Sequence, residues 1–317
     1  MDQQVVSLVL GRLGLALVTL LIVSFVVFAA TAMLPGDVAQ ILLGQAATDE
    51  AVAGLRTAMH LDDPAILRFL RWLAGLLQGD FGTSYANNMP IAELIGARLV
   101  NTLKLGAVTA MVAVPVALFL GITTAMYRGR LYDRVVSTLV VGIISVPEFM
   151  IATLAVLVFA VWLRWLPALS FASDVTGLLD VLRAYAMPVV TLAVVISAQM
   201  IRMTRAAVIE TLKMPYVEMA LLKGASRPRI VLRHALPNAV GPIVNAVALS
   251  LSYLVGGVII VETIFNYPGI AKLMVDAVAT RDLPLIQTCA MIFCLGYLAL
   301  ITAADIVAIL SNPRLRK

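Results

Sequence analysis

Charged residues are scarce in this chain. Asp, Glu, Lys and Arg make up only 13% of its 317 residues, whereas hydrophobic residues make up 62% and the mean hydropathy is +1.00. Charged residues alone come to about a quarter of an ordinary soluble domain. The shortage of charge therefore excludes a soluble globular protein and indicates a polytopic membrane protein with modest loops.

Residues that bind metals or form disulfides are also few. Both cysteines, Cys289 and Cys294, lie in one apolar run, where thiols behave as small hydrophobic side chains, and their spacing matches no zinc or disulfide framework. The two histidines are His60 and His234, and the chain has no H-E-x-x-H motif. We expect neither a metal site nor a redox centre.

Several motifs of enzymes and of nucleic-acid-binding proteins are missing as well. Without G-x-x-x-x-G-K-[ST] the chain has no P-loop for nucleotide phosphates. Without G-x-S-x-G, or a serine paired with a histidine inside a span, it lacks the parts of an intramembrane hydrolase. No basic surface interleaved with aromatic residues points to nucleic acid. We therefore expect a protein that is not an enzyme, with no catalytic residues, no cofactor of its own and no nucleic-acid partner.

Long apolar runs dominate what the chain does contain. A helix needs about 20 apolar residues to cross the hydrocarbon core of a bilayer, and six runs qualify: 10–34, 102–126, 135–162, 186–201, 239–261 and 285–310. The first contains Ala30-Thr31-Ala32, which resembles a cleavage site, but the run is too long for a secretory signal and is interpreted as a retained signal anchor. The fourth run is short, and we expect its helix to begin after Pro188.

Lys and Arg are distributed unevenly between the two sides of the membrane. Fourteen of the 23 fall on one side: Arg12, three residues within 128–134, seven between Arg202 and Arg233, and three at the C-terminus. Cytoplasmic loops carry the excess of positive charge. We therefore expect both termini in the cytoplasm and an all-α protein with six transmembrane helices, in which residues 1–34 hold the first helix and residues 102–317 the other five.

Residues 35–101 are too long for a simple connector and are predicted to form a small helical extracytoplasmic cap. Residues 49–59 carry Ala51, Leu55 and Ala58 at helical spacing, and residues 64–77 begin with a proline suited to a first helical turn. Gly79-Asp80-Phe81-Gly82-Thr83-Ser84 then predicts a tight turn. The cap either meets a soluble partner or shields the ends of the spans, and the sequence leaves both open.

Ionisable and hydroxyl residues inside the apolar runs are candidates for a translocation pathway. Glu148 follows Pro147, where it would either meet a cationic group of a substrate or only fix packing, paired with a polar group of a neighbouring helix or held neutral. Asp305 has the same alternatives near the cytoplasmic end of the last run. Small and hydroxyl residues of the fifth run suit either helix packing or a polar path. The candidate pathway residues are Glu148, Asn245, Ser250, Ser252 and Tyr253.

The most specific pattern lies in the predicted cytoplasmic loop 202–238. Apolar and small residues recur at helical spacing and define one face of a short helix: Val217, Ala220, Leu221 and Gly224. Glu218 suits the first turns of that helix and Gly224 its end. An interfacial amphipathic helix explains this much, but it does not explain the following His234-Ala235-Leu236-Pro237-Asn238. A helix that docks on a soluble partner explains both, and that partner is the expected source of energy.

The pattern E-x-A-x-x-x-G from Glu218 to Gly224, followed by His234 and then Leu236-Pro237, resembles the EAA motif of permease subunits of bacterial ABC importers. Met219 stands where the motif has its first alanine. Five further segments resemble the dipeptide/oligopeptide/nickel permease family, in the same order along the chain: Leu34-Pro35-Gly36-Asp37, Gly79 to Ser84, Arg202-Met203-Thr204-Arg205, Glu262 to Gly269, and Asn312-Pro313-Arg314.

The resemblance implies a type I ABC importer permease fold in the bacterial inner membrane. It also implies three kinds of partner besides the lipid bilayer: a second, similar permease subunit, two cytoplasmic ATPases that bind ATP and Mg, and an extracytoplasmic substrate-binding protein. The residues that it assigns to coupling with the ATPases are Tyr216, Val217, Glu218, Ala220, Leu221, Gly224, His234, Leu236 and Pro237.

Peptides are the expected substrates, because the family carries dipeptides and oligopeptides, with nickel chelates, glutathione and opines as alternatives within it. Two functions of other classes stay open at this point. A secondary transporter or channel would use Glu148 to handle protons or cations under an ion gradient, and a membrane assembly scaffold would transport nothing.

Overall fold

The computed structural model of this chain describes residues 3–33, 36–170 and 178–311, and these residues form helices joined by turns. The helices are α1 (Gln3–Ala32), α2 (Val38–Leu43), α3 (Asp49–Ala58), α4 (Ala65–Gln78), α5 (Ile91–Met126), α6 (Leu131–Ser145), α7 (Glu148–Ala155), α8 (Leu178–Leu212), α9 (Pro215–Leu222), α10 (Arg227–Arg229), α11 (Leu236–Ile264), α12 (Ile270–Thr280) and α13 (Leu283–Ser311). A 3-10 turn follows α2, and π-helical segments follow α7 (Val156–Trp162) and α10 (Ile230–Ala235). The predicted all-α class is confirmed.

Five of the described helical stretches are long and apolar enough to cross a membrane: Ser7–Ala32, Ile91–Met126, Leu182–Leu212, Arg227–Ile264 and Leu283–Val307. The sixth predicted span is not one straight helix. It is a pair of helices, Leu131–Ser145 and Glu148–Trp162, bent by 102° at a short break. Six spans are therefore reached when this bent pair counts as one.

Pro147 accounts for the break in the third span. A proline lacks the N–H group of the helical ladder and pushes the preceding residue into extended backbone. Val146 is accordingly extended, with φ −96° and ψ 130°, and α6 ends before it. The chain restarts a helix at Glu148, so the bend places this carboxylate in the first turn of α7.

Pro188 does not begin a helix as expected. It lies inside α8, which starts at Leu178 and continues to Leu212, so the predicted bounds 186–201 are wrong at both ends. Membrane helices tolerate internal prolines when neighbouring groups satisfy the backbone that the proline frees. The sequence rule that prolines end helices therefore fails here, although it held at Pro147.

The described chain divides into two compact units, and the first comprises Met1–Gly14, Leu103–Tyr267 and Tyr297–Lys317. Its interior is a cluster of apolar side chains from α5, α8, the second π segment and α11: Ala125, Val208, Ile209, Val231, Ala239 and Ile243. Helices α5 and α8 approach closely at Gly121, where a Cβ would lie 2.8 Å from the Cβ of Thr204. Asp305, for which the sequence left both a substrate role and a packing role open, forms an ion pair with Arg12 at 3.0 Å.

An ion pair fixes α6 against α8 in this unit. Arg205 donates from Nε and Nη2 to the two carboxylate oxygens of Asp133, at 2.8 and 3.0 Å, and the Gly129 amide donates to the same carboxylate at 2.9 Å. Asp133 is buried. Because α6 leads directly into the bend at Pro147, this pair anchors the helix that positions Glu148.

The second unit comprises Leu15–Thr102 and Pro268–Gly296, and contains the predicted cap. The two predicted cap helices are present as α3 and α4, with the Thr48 hydroxyl accepting from the Ala51 amide at the start of α3 and left-handed Gly79 ending α4. The predicted turn after Gly79 closes on Asp282, whose buried carboxylate accepts from the Ser84 hydroxyl and from two backbone amides. Two predicted motif segments, Leu34-Pro35 and Asn312-Pro313-Arg314, lie outside the described residues.

The ion pair between Asp133 and Arg205 generates a stability prediction. Arg205→Gln leaves a buried carboxylate without its charged partner, so we expect the free energy of unfolding to fall by about 2 kcal/mol and the Tm of the detergent-solubilised chain by roughly 5 °C. Arg202→Gln is the matched control, because this exposed side chain on the same helix bonds Gln199 at the surface. Equal melting temperatures for the two variants would contradict the anchoring role of the pair.

Candidate functional site

The carboxylate of Glu148 lies against the backbone of α11. A Cβ placed on Gly257 would fall 2.5 Å from Oε1 and 3.0 Å from Oε2 of Glu148, so the absence of a side chain at this glycine makes room for the carboxylate. Oε1 is buried and has no hydrogen-bond partner among the described residues. Buried polar atoms are nearly always paired, so this oxygen is an exception within the described part of the chain.

Glu148 faces a cavity of about 450 Å³ between α6, α7, α8 and α11. Polar side chains in its lining are Glu148, Gln199, Ser250 and Tyr253, and the rest of the lining is aliphatic residues and the glycines Gly256 and Gly257. The cavity thus brings together three of the five candidate pathway residues. A carboxylate oxygen in such a place, with no partner within the described ranges, suits ammonium groups and other cations.

The other two candidates lie apart from this lining. Asn245 is exposed and lies on α11 five residues before Ser250, outside the cavity lining. Ser252 is buried and its hydroxyl donates to the Ala248 carbonyl at 3.0 Å, which is the ordinary helix-packing role that the sequence left open. The Ser250 hydroxyl makes the same kind of bond, to the Ala246 carbonyl at 2.9 Å, although its residue lines the cavity.

Two residues of the cavity, Gln199 and Gly257, are not among the candidate pathway residues predicted from the sequence. Gln199 is an amide within an apolar helix, and this was a signal that could have been used. Gly257 is one of the small residues of the fifth run, but the sequence could not single it out, because its importance comes from a contact with a residue more than one hundred positions earlier. Sequence spacing on one helix cannot report a contact of that kind.

Helix α9 is the predicted docking helix, and it begins with Pro215 at its first turn. Gly224, with φ +78°, follows its end, and the Gly224 amide donates to the Leu221 carbonyl at 2.9 Å. Left-handed backbone of this kind favours glycine. The helix and its glycine terminator therefore follow the local pattern of the sequence closely.

Only half of the predicted apolar face of α9 is buried within this chain. Val217 and Ala220 are buried against Ile230 of the following π segment, whereas Leu221 and Gly224 are exposed. The outward surface carries four large side chains that have little contact with this chain: Tyr216, Met219, Leu221 and Leu222, the last being 76% exposed. The helix thus uses one edge to join its own chain and offers an apolar surface on the other.

A continuous helical stretch, Arg227–Ile264, joins the α9 region to the cavity. It passes through the π segment Ile230–Ala235, where His234 accepts from the Asn238 side chain through its carbonyl at 2.9 Å, and Pro237 occupies the first turn of α11. Leu236 packs in the apolar cluster of the first unit. Further along the same stretch lie Ser250, Tyr253 and Gly257 of the cavity.

Residues 117–317 match the family of inner membrane components of binding-protein-dependent transport systems, and residues 5–106 match the N-terminal region of the membrane components of such systems. The chain belongs to this family. It is a permease subunit of a binding-protein-dependent ABC importer, as the EAA-like motif indicated. The importer partners implied by the family are a substrate-binding protein and ATPases.

Alignments with known relatives cover almost the whole permease. It is 34% identical over 308 residues to a protein of Sinorhizobium fredii named "Probable peptide ABC transporter permease protein y4tP". It is 36% identical over 308 residues to the glutathione transport system permease protein GsiC of Salmonella paratyphi A and of Escherichia coli strain K12. Each of these alignments covers 97% of this chain and 98% of the relative.

A solved structure confirms the fold of the permease. An inward-facing form of the MetNI methionine ABC transporter matches with a TM-score of 0.57, covering 70% of this chain and 98% of that one at 19% identity. Within residues 3–33, 36–170 and 178–311, no group of three or more His, Cys, Asp and Glu residues could hold a metal ion.

The contact between Gly257 and Glu148 generates a prediction about transport. Gly257→Ala forces the carboxylate away from its seat, so we expect transport by the assembled importer to fall about tenfold, as with Glu148→Gln, while complex assembly is unchanged. Gly256→Ala is the matched control, because a Cβ there meets nothing within 4 Å. Full transport by the Gly257→Ala importer in proteoliposomes would show that the position of the carboxylate does not matter.

Proposed function

We propose that this permease forms the translocation pathway for di- or oligopeptides together with a second, homologous permease subunit. The observation that carries the substrate class is the buried Glu148 oxygen without a described partner, in a cavity that also holds Gln199, Ser250 and Tyr253. Peptides and glutathione both present an ammonium group to such a carboxylate and amides to the neighbouring polar side chains. The names of the relatives, one for peptide and others for glutathione transport, support the same class.

The proposed orientation places both termini and the loop 202–238 in the cytoplasm, and residues 35–101 outside it, in the bacterial inner membrane. The excess of Lys and Arg in the loops next to α5, α6, α8 and α9 supports this orientation. The extracytoplasmic binding protein would then deliver its ligand to the outer face, next to the cap, and residues 102–317 would form the core with its five further spans.

Energy for transport comes, in this proposal, from two ATPases that bind ATP and Mg and contact α9. Its exposed residues Tyr216, Leu221 and Gly224, with Glu218, form the contact surface. Val217 and Ala220 face the other way and bind α9 to the π segment. Displacement of α9 when the ATPases close would pass through His234, Leu236 and Pro237 into α11, which lines the cavity with Ser250 and Tyr253.

Membership of the importer family argues against the other function that the sequence left open for the same carboxylate. A secondary transporter or channel would use Glu148 to carry protons or cations and would need no ATPase. The exposed apolar surface of α9 argues for the importer, because a secondary transporter has no use for a docking helix.

Gly224→Asp tests the contact between α9 and the ATPases. The new carboxylate would be buried at an apolar interface, so we expect the ATPases to be lost on purification and uptake to be abolished. Gly224→Asn is the matched control: it has the same size, tolerates the left-handed backbone, and carries no charge. Wild-type amounts of co-purified ATPase and normal uptake with the Asp variant would refute this docking surface.

Reconstitution separates the importer from its rival. The permease alone should neither hydrolyse ATP nor accumulate peptide in liposomes under a proton gradient, whereas the full complex with a peptide-loaded binding protein should hydrolyse ATP faster and accumulate peptide. Accumulation by the permease alone would establish the secondary transporter instead. A ligand screen on the cognate binding protein that returned no amine-bearing peptide would overturn the substrate class and leave the importer intact.

A further inference from the structure

A second cavity lies within the unit that contains the cap. It has a volume of about 340 Å³ and is bounded by the C-terminal end of α1, by α4, by the turn that follows α4, and by the start of α13. Phe28, Arg68, Trp72 and Tyr85 contribute to its wall. None of these residues belongs to the cavity of Glu148 or to the docking helix, so the transport mechanism gives this cavity no role.

Two buried donors in this wall have no acceptor in the part of the chain that the structure describes. Nε of Arg68 and Nε1 of Trp72 are both buried and unpaired among the described residues. Leaving a buried donor unpaired costs about 1–3 kcal/mol, and more for a charged group. Two such donors, four residues apart on one face of α4 and in one cavity, indicate a site built for a ligand that accepts hydrogen bonds.

The charge of Arg68 makes an anion the fitting ligand. Arg68 donates from Nη1 to the Leu61 carbonyl at 3.1 Å and lies 5.9 Å from the centre of the Phe28 ring, but it forms no ion pair with any described carboxylate. The neighbouring Arg71 differs, since Asp63 already neutralises it at 2.9 Å near the surface. Arg68 is therefore the cation in this cavity that lacks a counter-ion.

Tyr85 adds a neutral wall beside the guanidinium. Burial raises the pKa of Tyr85 above its ordinary value, although the positive charge of Arg68 acts in the opposite direction. The phenol consequently stays protonated at neutral pH and does not compete with an entering anion for Arg68.

Apolar surface continues outward from the cavity. Phe28 and Trp72 belong to an aromatic cluster with Phe25 and Phe69, whose ring centres are 5.5 to 6.1 Å apart. Beyond that cluster, α1 and α4 expose further large apolar side chains: Ile22, Ile66, Leu70 and Leu77. An amphipathic helix with Arg and Trp beside an exposed apolar face is typical of a membrane interface.

We propose that this cavity binds the phosphate group of an anionic phospholipid. Nε of Arg68 and Nε1 of Trp72 donate to the phosphate oxygens, and the acyl chains lie over the exposed apolar side chains of α1 and α4. Free phosphate shares the oxyanion chemistry but would leave that apolar surface bare, which is why the lipid is the favoured source. The site would hold α4 against the bilayer and thereby fix the cap.

The test measures lipid retained by the full importer complex after delipidation in detergent, using native mass spectrometry. Phosphatidylglycerol should remain bound in preference to phosphatidylcholine, and Arg68→Gln should lower the bound fraction about tenfold, the effect of losing one charge-assisted hydrogen bond. Arg71→Gln removes the same charge from the same helix, next to Asp63, and should change the bound fraction less than twofold. Equal retention in the Arg68→Gln complex, or equal retention of the two lipids by the wild type, would overturn the proposal.

A second measurement guards against a general loss of structure in the arginine variant. Trp72→Phe keeps an aromatic ring in the cluster but removes the indole N–H together with the fused five-membered ring, so its retention of phosphatidylglycerol should fall severalfold while the complex stays folded, as its melting curve would show. Brominated phosphatidylglycerol should quench the part of the fluorescence that this variant lacks. Inorganic phosphate that displaces phosphatidylglycerol at equal concentration would assign the site to a free oxyanion and exclude the lipid.

Discussion

A backbone inside a membrane must satisfy its own hydrogen bonds, and this constraint governs the arrangement around Pro147. The missing N–H and the extended Val146 interrupt the ladder, so the break between α6 and α7 is tolerated only where protein or a polar cavity surrounds it. Helices α8 and α11 provide that surrounding. The same break puts Glu148 at the start of a helix, facing the gap that Gly257 leaves, and so the candidate pathway depends on one proline.

Features set by neighbouring residues were predicted well. The cap helices α3 and α4 and the predicted docking helix α9 all lie within about two residues of their predicted bounds. The Thr48 side chain caps the start of α3, and α4 and α9 have a proline at the start and a glycine beyond the end, so these signals act on the local backbone. Membership of the permease family was also accessible, since the motif from Glu218 to Gly224 and its spacing to His234 are properties of the sequence alone.

Features set by distant contacts were not predictable in this way. Pro188 continues a helix because its surroundings permit it, although the local rule says otherwise. The inward turn of Val217 and Ala220 depends on Ile230 in a later segment, and the pairing of Glu148 with Gly257 joins two helices far apart in the chain. The hydroxyls of Ser250 and Ser252 look alike in the sequence, yet only Ser250 lies along the cavity.

The π segment Ile230–Ala235 comes directly before α11 and gives a displacement of α9 a way to rotate α11 as well as to shift it. A π turn holds one residue more than an α turn. If the extra residue of the π turn moved to another position along the helix, the helical segment between the two positions would rotate by about 100° and shift by about 1.5 Å along the axis. A displacement of α9 would then rotate α11 about its axis. That rotation would move Gly257 relative to the Glu148 carboxylate that lies against it.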